Sequence, residues 1–384
     1  MLLIIFARLN GGLTMNIREL RNMFPALSRT VYGKQLVYFD NAATAQRSQS
    51  VIDKWTQLTI GANANIHRAV HKLAVDATDE YESTRDAVKE YINAAAREEI
   101  VFTSGTTGSI NLVAFSFGET FVNKGDEIIV SESEHHSNIV PWQMLCQRKG
   151  AVLRVLHVDE DGHLNLEELK SLLNPKTRIV AVTQISNVLG ILNPVKEIVS
   201  VCHSVGCPVL IDGAQGMVHE GVDVQDVDCD FYAFSGHKLY AATGTGVLYG
   251  KRKWLDQMVP YQGGGEMIAT VRFSGTTYAP LPEKFEAGTQ NINAIPTLEP
   301  AIEMLKLMKD KELLNAQEAV SQYLFHALTS NPRIRLYGVP RGTETKIPLF
   351  SFSVEGAHHE DLALILDKMG IAVRSGQMCA EPLM

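Results

Sequence analysis

The feature that most constrains the fold is a regular alternation of short β-branched runs with stretches of helical period. Chains with this order build βα units, in which helices cover a mainly parallel sheet. The predicted strands in this part of the chain are 36–40, 99–104, 127–131, 152–158, 178–184, 208–212, 231–234 and 246–249. The predicted helices between them are 78–93, 107–117, 138–149 and 195–205. The sequence therefore predicts an α/β fold.

The pattern changes from about residue 296. A long helical stretch to residue 329 precedes predicted strands 348–354 and 371–374, which are separated by a predicted helix, 359–369. This order predicts a second, smaller α+β domain. We expect the chain to consist of residues 1–14 as an extension or start artefact, 15–37 as an N-terminal arm that joins the small domain, 38–296 as the cofactor-binding large domain and 297–384 as the small domain.

Charge and cysteine content argue against several functional classes. A formal net charge of −8 and a pI near 5.9 provide no basic excess for phosphate backbones, so we expect no nucleic-acid partner. The apolar residues 1–6 are too few for a signal peptide or a membrane span, so we expect no membrane association. The cysteines are odd in number, widely spaced and without CxxC pairs, which favours a cytoplasmic protein with neither disulfides nor a metal site. They are Cys146, Cys202, Cys207, Cys229 and Cys379.

An acid and a lysine follow two successive predicted strands. Asp212 ends the apolar run 208–212, and Lys238 follows the next strand beside Ser235 and His237. A lysine amine forms a Schiff base with an aldehyde, and a carboxylate at the ring nitrogen keeps a pyridine protonated. This pair indicates an enzyme that uses pyridoxal 5'-phosphate.

A glycine-containing turn at another strand end is suited to the phosphate of that cofactor. The turn 104–108 follows a predicted strand and opens a helix, so its backbone N–H groups and the hydroxyls of Thr106 and Thr107 can approach a phosphate. Ser235 and His237 can complete the phosphate site.

Two further positions fit the ring of the cofactor. Either His135 or His136, which follow a third strand, could stack on the pyridine, and Gln215 could reach its phenolic oxygen. Each feature alone has an ordinary alternative: a helix start, a turn, or a buried histidine that bonds a neighbour. Their order at successive strand ends of one chain favours the cofactor site.

These residues belong to a longer ordered set that resembles the class V aminotransferase-fold family, and within it the group II cysteine desulfurases of the SufS/CsdA type. The matching segments are 38–44, 65–68, 103–108, 134–141, 186–190, 212–215, 235–238, 263–268, 285–289 and 374–380. The resemblance implies the aspartate aminotransferase-like fold type I of PLP-dependent transferases, with a mainly parallel, seven-stranded sheet and a smaller α+β domain. It also implies a homodimer.

The resemblance further implies a role for each matched site residue. The catalytic residues would be Lys238, Cys379 and His135. The cofactor would be held by Thr106, Thr107, His135, Asn187, Asp212, Gln215, Ser235, His237, Lys238 and Thr289. Of these, Thr289 would come from the other subunit. The substrate would be bound by Arg374, Asn187 and His67.

The implied reaction depends on Cys379. Its thiolate would attack the sulfur of L-cysteine and leave L-alanine and a Cys379 persulfide, which would supply iron–sulfur cluster assembly or other sulfur transfer through an acceptor protein of the SufE or SufU type. The alternatives are a selenocysteine lyase acting on L-selenocysteine, a truncated non-catalytic protein of this fold, and, for Cys379 alone, a buried structural thiol.

Two positions depart from the family pattern. The usual pair of histidines before the cysteine is replaced by Gln377 and Met378, so we expect less help from imidazole at Cys379. The sequence stops at Met384, where the resembling proteins continue, so we expect a C-terminal truncation and an incomplete small domain.

Overall fold

The computed structural model describes residues 17–309, 311–338 and 346–384. The predicted extension, 1–14, lies outside the described residues, as do residues 15 and 16 of the predicted arm. The division of the chain into four parts stays a prediction.

A seven-stranded sheet forms the centre of the molecule, with the strand order β4-β10-β9-β8-β7-β5-β6. Strands β5 to β9 pair in parallel, whereas β10 runs antiparallel between β9 and β4. Six strands therefore point the same way, which confirms the mainly parallel sheet expected from the sequence. The strands are β4 (Ile100–Thr103), β5 (Glu127–Ser131), β6 (Val152–Leu156), β7 (Thr177–Thr183), β8 (Val209–Asp212), β9 (Phe231–Ser235) and β10 (Gly246–Gly250).

Helices cover both faces of this sheet. Neighbouring strand residues alternate between two hydrophobic clusters: Ile211 belongs to one and Leu210 to the other, and Tyr232 and Phe231 divide in the same way. Strands β5, β8 and β9 are buried along their whole length, as parallel strands covered on both faces are, and so is the antiparallel β10. The helices in this part are α1 (Ile17–Asn22), α2 (Gln49–Gly61), α3 (Lys72–Tyr91), α4 (Thr106–Phe121), α5 (Val140–Lys149), α6 (Leu166–Leu172), α7 (Val195–His203), α8 (Gly216–His219), α9 (Val224–Val227) and α10 (Arg252–Leu255).

The C-terminal part contains the predicted mixture of helices and strands. The stretch predicted to be helical from 296 to 329 forms a short 3-10 turn and two helices. These and the later elements are α11 (Leu298–Met308), α12 (Lys311–Thr329), β13 (Ile334–Tyr337), β14 (Ser351–Val354), α13 (His359–Lys368) and β15 (Ile371–Ala372). Strands β13 and β14 are antiparallel, and β15 pairs in parallel with β3 (Val37–Tyr38) near the beginning of the chain.

Several elements were not predicted from the sequence. Besides helices α2 and α6, they include two strand pairs with little buried surface. The hairpin of β11 (Ile268–Arg272) and β12 (Gly275–Tyr278) is largely exposed, and Phe273 at its turn is fully exposed. A strand that does not bury one face lacks the alternating pattern by which strands are recognised. The remaining short strands are β1 (Thr30–Val31) and β2 (Lys34–Gln35).

A buried ion pair joins helix α3, strand β4 and the segment 285–289. Arg85 is completely buried, and its Nη1 and Nη2 donate to Glu286 Oε1 and Oε2 at 2.7 and 3.0 Å. Glu286 Oε1 also accepts the backbone N–H of Phe102 at 2.7 Å. Arg85 donates to the carbonyl of Ile100 at 2.7 Å, so both charges are hydrogen-bonded on several sides.

Removing the negative charge of this pair should destabilise the fold. In Glu286→Gln the Arg85 cation loses its buried counter-charge and keeps only the less buried Glu82, and breaking such a buried pair costs about 3–5 kcal/mol. Urea unfolding monitored by circular dichroism measures the loss. The matched control is Asp76→Asn on the same helix, because Asp76 pairs with the exposed Lys72 and such surface pairs contribute about 0–1 kcal/mol. Equal losses in the two variants would contradict the structural role of the buried pair.

Candidate active site

Five strands end at one edge of the sheet, and the predicted site residues follow those ends. Strands β4, β5, β7, β8 and β9 point the same way, so their carboxyl ends lie side by side. Open α/β sheets bind their ligands at this edge. The structure therefore brings together residues that are far apart in the chain.

The predicted phosphate turn closes across two strands. Helix α4 begins at Thr106, whose N–H donates to Ser235 Oγ at 2.7 Å and whose hydroxyl lies 2.8 Å from the same oxygen. The hydroxyl of Thr107 lies 2.7 Å from that of Ser137, which connects the turn to the segment after β5. Thr106, Thr107 and Ser235 thus surround one helix N-terminus, where an anion is favoured.

Two glycines allow this close approach. Gly105 has φ +143, a conformation that side chains rarely adopt. At Gly246, the first residue of β10, a Cβ atom would come within 2.3 Å of the Gly105 Cα. The sequence analysis did not single out Gly246, because the approach of β10 to the turn depends on the pairing of distant strands.

Lys238 and Asp212 lie beside each other at the ends of β9 and β8. Lys238 ends a short 3-10 turn after β9, and burial lowers the pKa of its amine although the charge of Asp212 opposes the shift. Asp212 is buried, and its Oδ1 accepts the N–H of Ala214 at 2.9 Å. Burial raises the pKa of Asp212. A lysine with a lowered pKa is more often neutral, and the neutral amine is the form that adds to an aldehyde.

His135 follows β5 and has the properties of a stacking ring. Its Nδ1 accepts the N–H of Ser137 at 3.0 Å, so a proton on the neutral ring lies on Nε2. Burial lowers the pKa of His135 to about 4, which keeps the imidazole uncharged near neutral pH.

Glu134, for which no role was predicted from the sequence, holds this segment through hydrogen bonds. It is completely buried, and its Oε1 accepts the N–H of Thr183 at 2.8 Å, while its Oε2 accepts Asn138 Nδ2 at 2.7 Å. Asn138 Oδ1 in turn accepts the indole N–H of Trp142 at 2.9 Å. Burial raises the pKa of Glu134 to about 8. No local pattern of the sequence marks this burial, because Glu134 lies three residues beyond the end of β5 and follows another acid and a serine.

The segment 37–45, which we call the strap, crosses the site and contacts two further predicted residues. Gln215 Nε2 donates to the carbonyl of Ala42 at 2.6 Å. His237 Nδ1 lies 3.1 Å from the hydroxyl of Thr44, and its carbonyl accepts the N–H of Ala45 at 3.0 Å.

The strap also reaches the predicted substrate-binding arginine. Because β3 and β15 pair in parallel, Asp40 and Arg374 follow neighbouring strands, and Arg374 Nε lies 3.2 Å from Asp40 Oδ1. Arg374 is exposed, and the Nη groups of a guanidinium can form the fork that binds a carboxylate.

Cys379 lies on an exposed segment next to these residues. Asn187 Nδ2 donates to the carbonyl of Met378 at 2.8 Å, and the N–H of His136 donates to the carbonyl of Cys379 at 2.7 Å. The interpretation of Cys379 as a buried structural thiol is wrong, because Cys379 is exposed whereas the other four cysteines are buried. Burial raises the pKa of these thiols, which are Cys146, Cys202, Cys207 and Cys229.

The contacts of His67 belong to a different group of residues. His67 Nε2 lies 3.0 Å from Glu82 Oε1, and this hydrogen bond raises the pKa of His67. Glu82 also contacts the buried Arg85. His67 is therefore linked through Glu82 to the buried ion pair, and the exposed Thr289 follows Glu286 of that pair by three residues.

The donor set fits pyridoxal 5'-phosphate. A helix N-terminus with three hydroxyl groups suits its phosphate, a flat neutral imidazole suits its ring, and a buried carboxylate near a lysine of lowered pKa suits its nitrogen and aldehyde. Within the described ranges, no group of three or more His, Cys, Asp and Glu residues could hold a metal ion. None of the described helices has the length and apolar character needed to cross a membrane.

This fold and site define a PLP-dependent transferase of fold type I. The model of the family Aminotransferase class-V matches residues 37–384. A cysteine desulfurase of Pectobacterium carotovorum subsp. carotovorum (strain PC1) is 46% identical over 369 residues, which cover 96% of this chain and 90% of that protein. Among solved structures, the apo cysteine desulfurase of Thermococcus onnurineus NA1 superposes with a TM-score of 0.88 at 34% identity, covering 97% of this chain and 91% of that one.

A second solved structure gives the same result. The cysteine desulfurase CsdA of Escherichia coli superposes with a TM-score of 0.85 at 38% identity, covering 97% of this chain and 90% of that one. The chain therefore belongs to the class V aminotransferase family, within its cysteine desulfurase branch, and is a PLP-dependent enzyme.

The raised pKa of Glu134 predicts a pH dependence of stability. The pKa is about 8 in the folded protein against an ordinary 4.5, so between these values the folded state keeps a proton that the unfolded state releases, and stability falls as the pH rises. Glu134→Gln has no such proton. Its unfolding free energy relative to wild type should therefore increase from pH 5 to pH 8, by at most about 1.4 kcal/mol per pH unit.

Urea unfolding at several pH values tests this. The control is Glu167→Gln, which removes an exposed carboxylate. A difference between Glu134→Gln and wild type that is constant from pH 5 to pH 8, or that follows the control, would show that Glu134 is ionised in the folded protein.

Proposed function

We propose that this protein removes sulfur from L-cysteine, releases L-alanine and retains the sulfur as a persulfide on Cys379. The observation that carries the proposal is the position of Cys379, the one exposed cysteine of five, on a segment bonded to Asn187 and His136 beside the cofactor residues. A thiol that must meet both a bound substrate and an acceptor has to lie at such an edge.

Each site residue has a task that follows from its surroundings. Pyridoxal 5'-phosphate, when bound, supplies an electron sink for the reacting bonds. Asp212 stabilises positive charge on the ring nitrogen, and Lys238, with its lowered pKa, accepts and returns protons at the substrate. Arg374 binds the substrate carboxylate through its Nη groups.

The sulfur transfer needs no external oxidant. The Cys379 thiolate attacks the sulfur of the substrate, so that an S–S bond forms while the C–S bond breaks. The electron pair of the C–S bond stays with the substrate carbon, which after protonation becomes the methyl group of alanine. The sulfur remains on Cys379 at the oxidation level of a persulfide.

Replacing Cys379 should separate cofactor binding from sulfur transfer. Cys379→Ala should keep the bound cofactor and its visible absorbance but form alanine at least about 100-fold more slowly, because the attacking group is lost. Alanine release and mass-spectrometric mapping of the persulfide measure this, with Cys146→Ala as the control for a buried thiol. A persulfide mapped to Cys146, Cys202, Cys207 or Cys229 would overturn the proposal.

The alternative substrate, L-selenocysteine, has the same carboxylate and amine, so the residues above would bind it equally. Alanine formation from the two amino acids at equal concentration discriminates them. We expect alanine formation from L-cysteine to require Cys379. Alanine formation from L-selenocysteine that persists in Cys379→Ala would instead favour a selenocysteine lyase, which needs no thiol.

We further propose a homodimer in which Thr289 of one subunit completes the phosphate site of the other. Thr289 is exposed, as are two large apolar side chains of the chain, Val70 at 97% and Phe273 completely. A subunit interface that covered these side chains would remove apolar surface from water. An isologous dimer repeats each contact twice, so both sites would be completed.

Mixing two inactive variants tests the dimer. Lys238→Ala lacks its lysine, and Thr289→Glu places a carboxylate against the phosphate. If Thr289 acts across the interface, refolded mixtures contain one intact site in each heterodimer and recover about a quarter of wild-type activity, because half of the dimers are mixed. Light scattering reports the oligomeric state. No recovery in mixtures that contain heterodimers would place Thr289 in its own subunit's site.

The exposure of Cys379 also supports transfer of its sulfur to a protein thiol. We propose that the acceptor is of the SufE or SufU type, that the sulfur serves iron–sulfur cluster assembly, and that the protein works in the cytoplasm, where four buried thiols and one exposed thiol stay reduced. Loss of the Cys379 persulfide upon addition of one acceptor and not the other would identify the partner type.

A further inference from the structure

The residues around Cys379 adopt a disfavoured backbone conformation that needs contacts with the rest of the molecule to stabilise it. Met378 and Cys379 have φ values of +49 and +58, so two consecutive residues other than glycine lie in the left-handed region. Such residues are disfavoured and persist where the surrounding structure determines them. The segment 377–381, which we call the cysteine loop, therefore depends on its contacts with the rest of the molecule.

Three hydrogen bonds attach the cysteine loop to the large sheet. Asn187 Nδ2 donates to the carbonyl of Met378 at 2.8 Å. The other two involve His136: its N–H donates to the carbonyl of Cys379 at 2.7 Å, and its Nε2 accepts the N–H of Glu381 at 3.0 Å. His136 thus holds the loop at Cys379 itself and at the second residue after it.

Apolar packing fixes the loop at one point between these bonds. Ala380 is completely buried in a small cluster with Val188, Leu189 and Ile191, against which Met378 packs. Burial fixes the Cα position of Ala380 but does not determine the direction of the neighbouring carbonyl and N–H groups. The hydrogen bonds of His136 determine these directions.

We propose that His136 is a positioning residue for the nucleophile, and that its Nε2, as a hydrogen-bond acceptor, holds the cysteine loop in the conformation from which Cys379 attacks. His135, the adjacent residue, is the predicted stacking ring, so one short segment aligns both the cofactor and the thiol. In this chain Gln377 and Met378 precede Cys379, and Gln377 Nε2 donates to Glu381 within the loop at 2.8 Å. His136 is therefore the imidazole that bonds to the loop.

This proposal rests on the proposed role of Cys379, and its experiment uses two substitutions of His136. His136→Phe keeps a ring but removes the acceptor. His136→Gln places an amide oxygen near the position of Nε2, where it can accept the N–H of Glu381. The control is His157→Phe, which replaces an exposed histidine bonded to Glu168.

Two measurements on the cofactor-loaded protein are expected to change together. In His136→Phe, hydrogen exchange in a peptide covering residues 377–384 should be at least about 10-fold faster, because the Glu381 N–H loses its acceptor. The kcat for alanine formation should fall about 10- to 100-fold, while KM changes less than about threefold, because a displaced thiol affects the attack and not substrate binding. His136→Gln should restore both to within about threefold, and His157→Phe should leave both unchanged.

The outcomes distinguish this proposal from the proposed function. If Cys379→Ala turns over L-cysteine at the wild-type rate, the proposed function fails. If Cys379→Ala is inactive but His136→Phe exchanges and reacts like wild type, or His136→Gln is as impaired as His136→Phe, the positioning role of His136 is overturned. Faster exchange with unchanged kcat also overturns it.

Discussion

The parallel pairing of strands β7, β8 and β9 is the constraint on which the site depends. In this pairing Thr183 lies opposite Asp212, and Asp212 lies opposite Ala233. The Asp212 carboxylate therefore lies at the edge of the sheet where β9 ends and the turn with Lys238 begins. Both side chains are thereby withdrawn from water together. The same burial that lowers the pKa of the amine raises that of the carboxyl. A bound cofactor would offer its aldehyde to the neutral amine, and the Asp212 carboxylate would stabilise a positive charge on its ring nitrogen.

The site also depends on contacts between distant parts of the chain. The strap bonds to Gln215 and His237 within the cofactor site and to Arg374 beyond β15. The pairing of β3 with β15 holds Arg374, the predicted substrate-binding residue, and, five residues later, Cys379 at the edge of the sheet. Cofactor and nucleophile are therefore held by one continuous set of backbone contacts, which suits a reaction that needs both within reach of one substrate.

Much of this arrangement could be predicted from the sequence. The buried strands have continuous apolar runs, so β5, β8 and β9 were located closely, and their polar successors Asp212 and Lys238 could be assigned because strand ends meet at one edge. The phosphate turn had its glycines and hydroxyls. These features are local in the sequence, and local patterns reflect burial and helix termini directly.

The remaining features depend on contacts that no local pattern encodes. Asp40 and Arg374 are separated by most of the chain, and the bond from Glu381 to His136 depends on a loop conformation. The role of Glu134 became visible only from its complete burial. The exposed hairpin of β11 and β12 buries no face that would give a period. Sequence reasoning grouped His67 with the substrate site, whereas its contacts are with Glu82 near the buried ion pair.

Locating the lysine that binds the cofactor tests the account most directly. Reduction of the cofactor-loaded protein with borohydride, followed by digestion and mass spectrometry, identifies the lysine that carries the pyridoxyl group. Burial also lowers the pKa of a second lysine, Lys346, to about 8. Its amine can therefore react with an aldehyde as well, so the test discriminates between the two lysines. We predict that the pyridoxyl group is found on Lys238 alone. Its presence on Lys346 or any other lysine would contradict the assignment of the site.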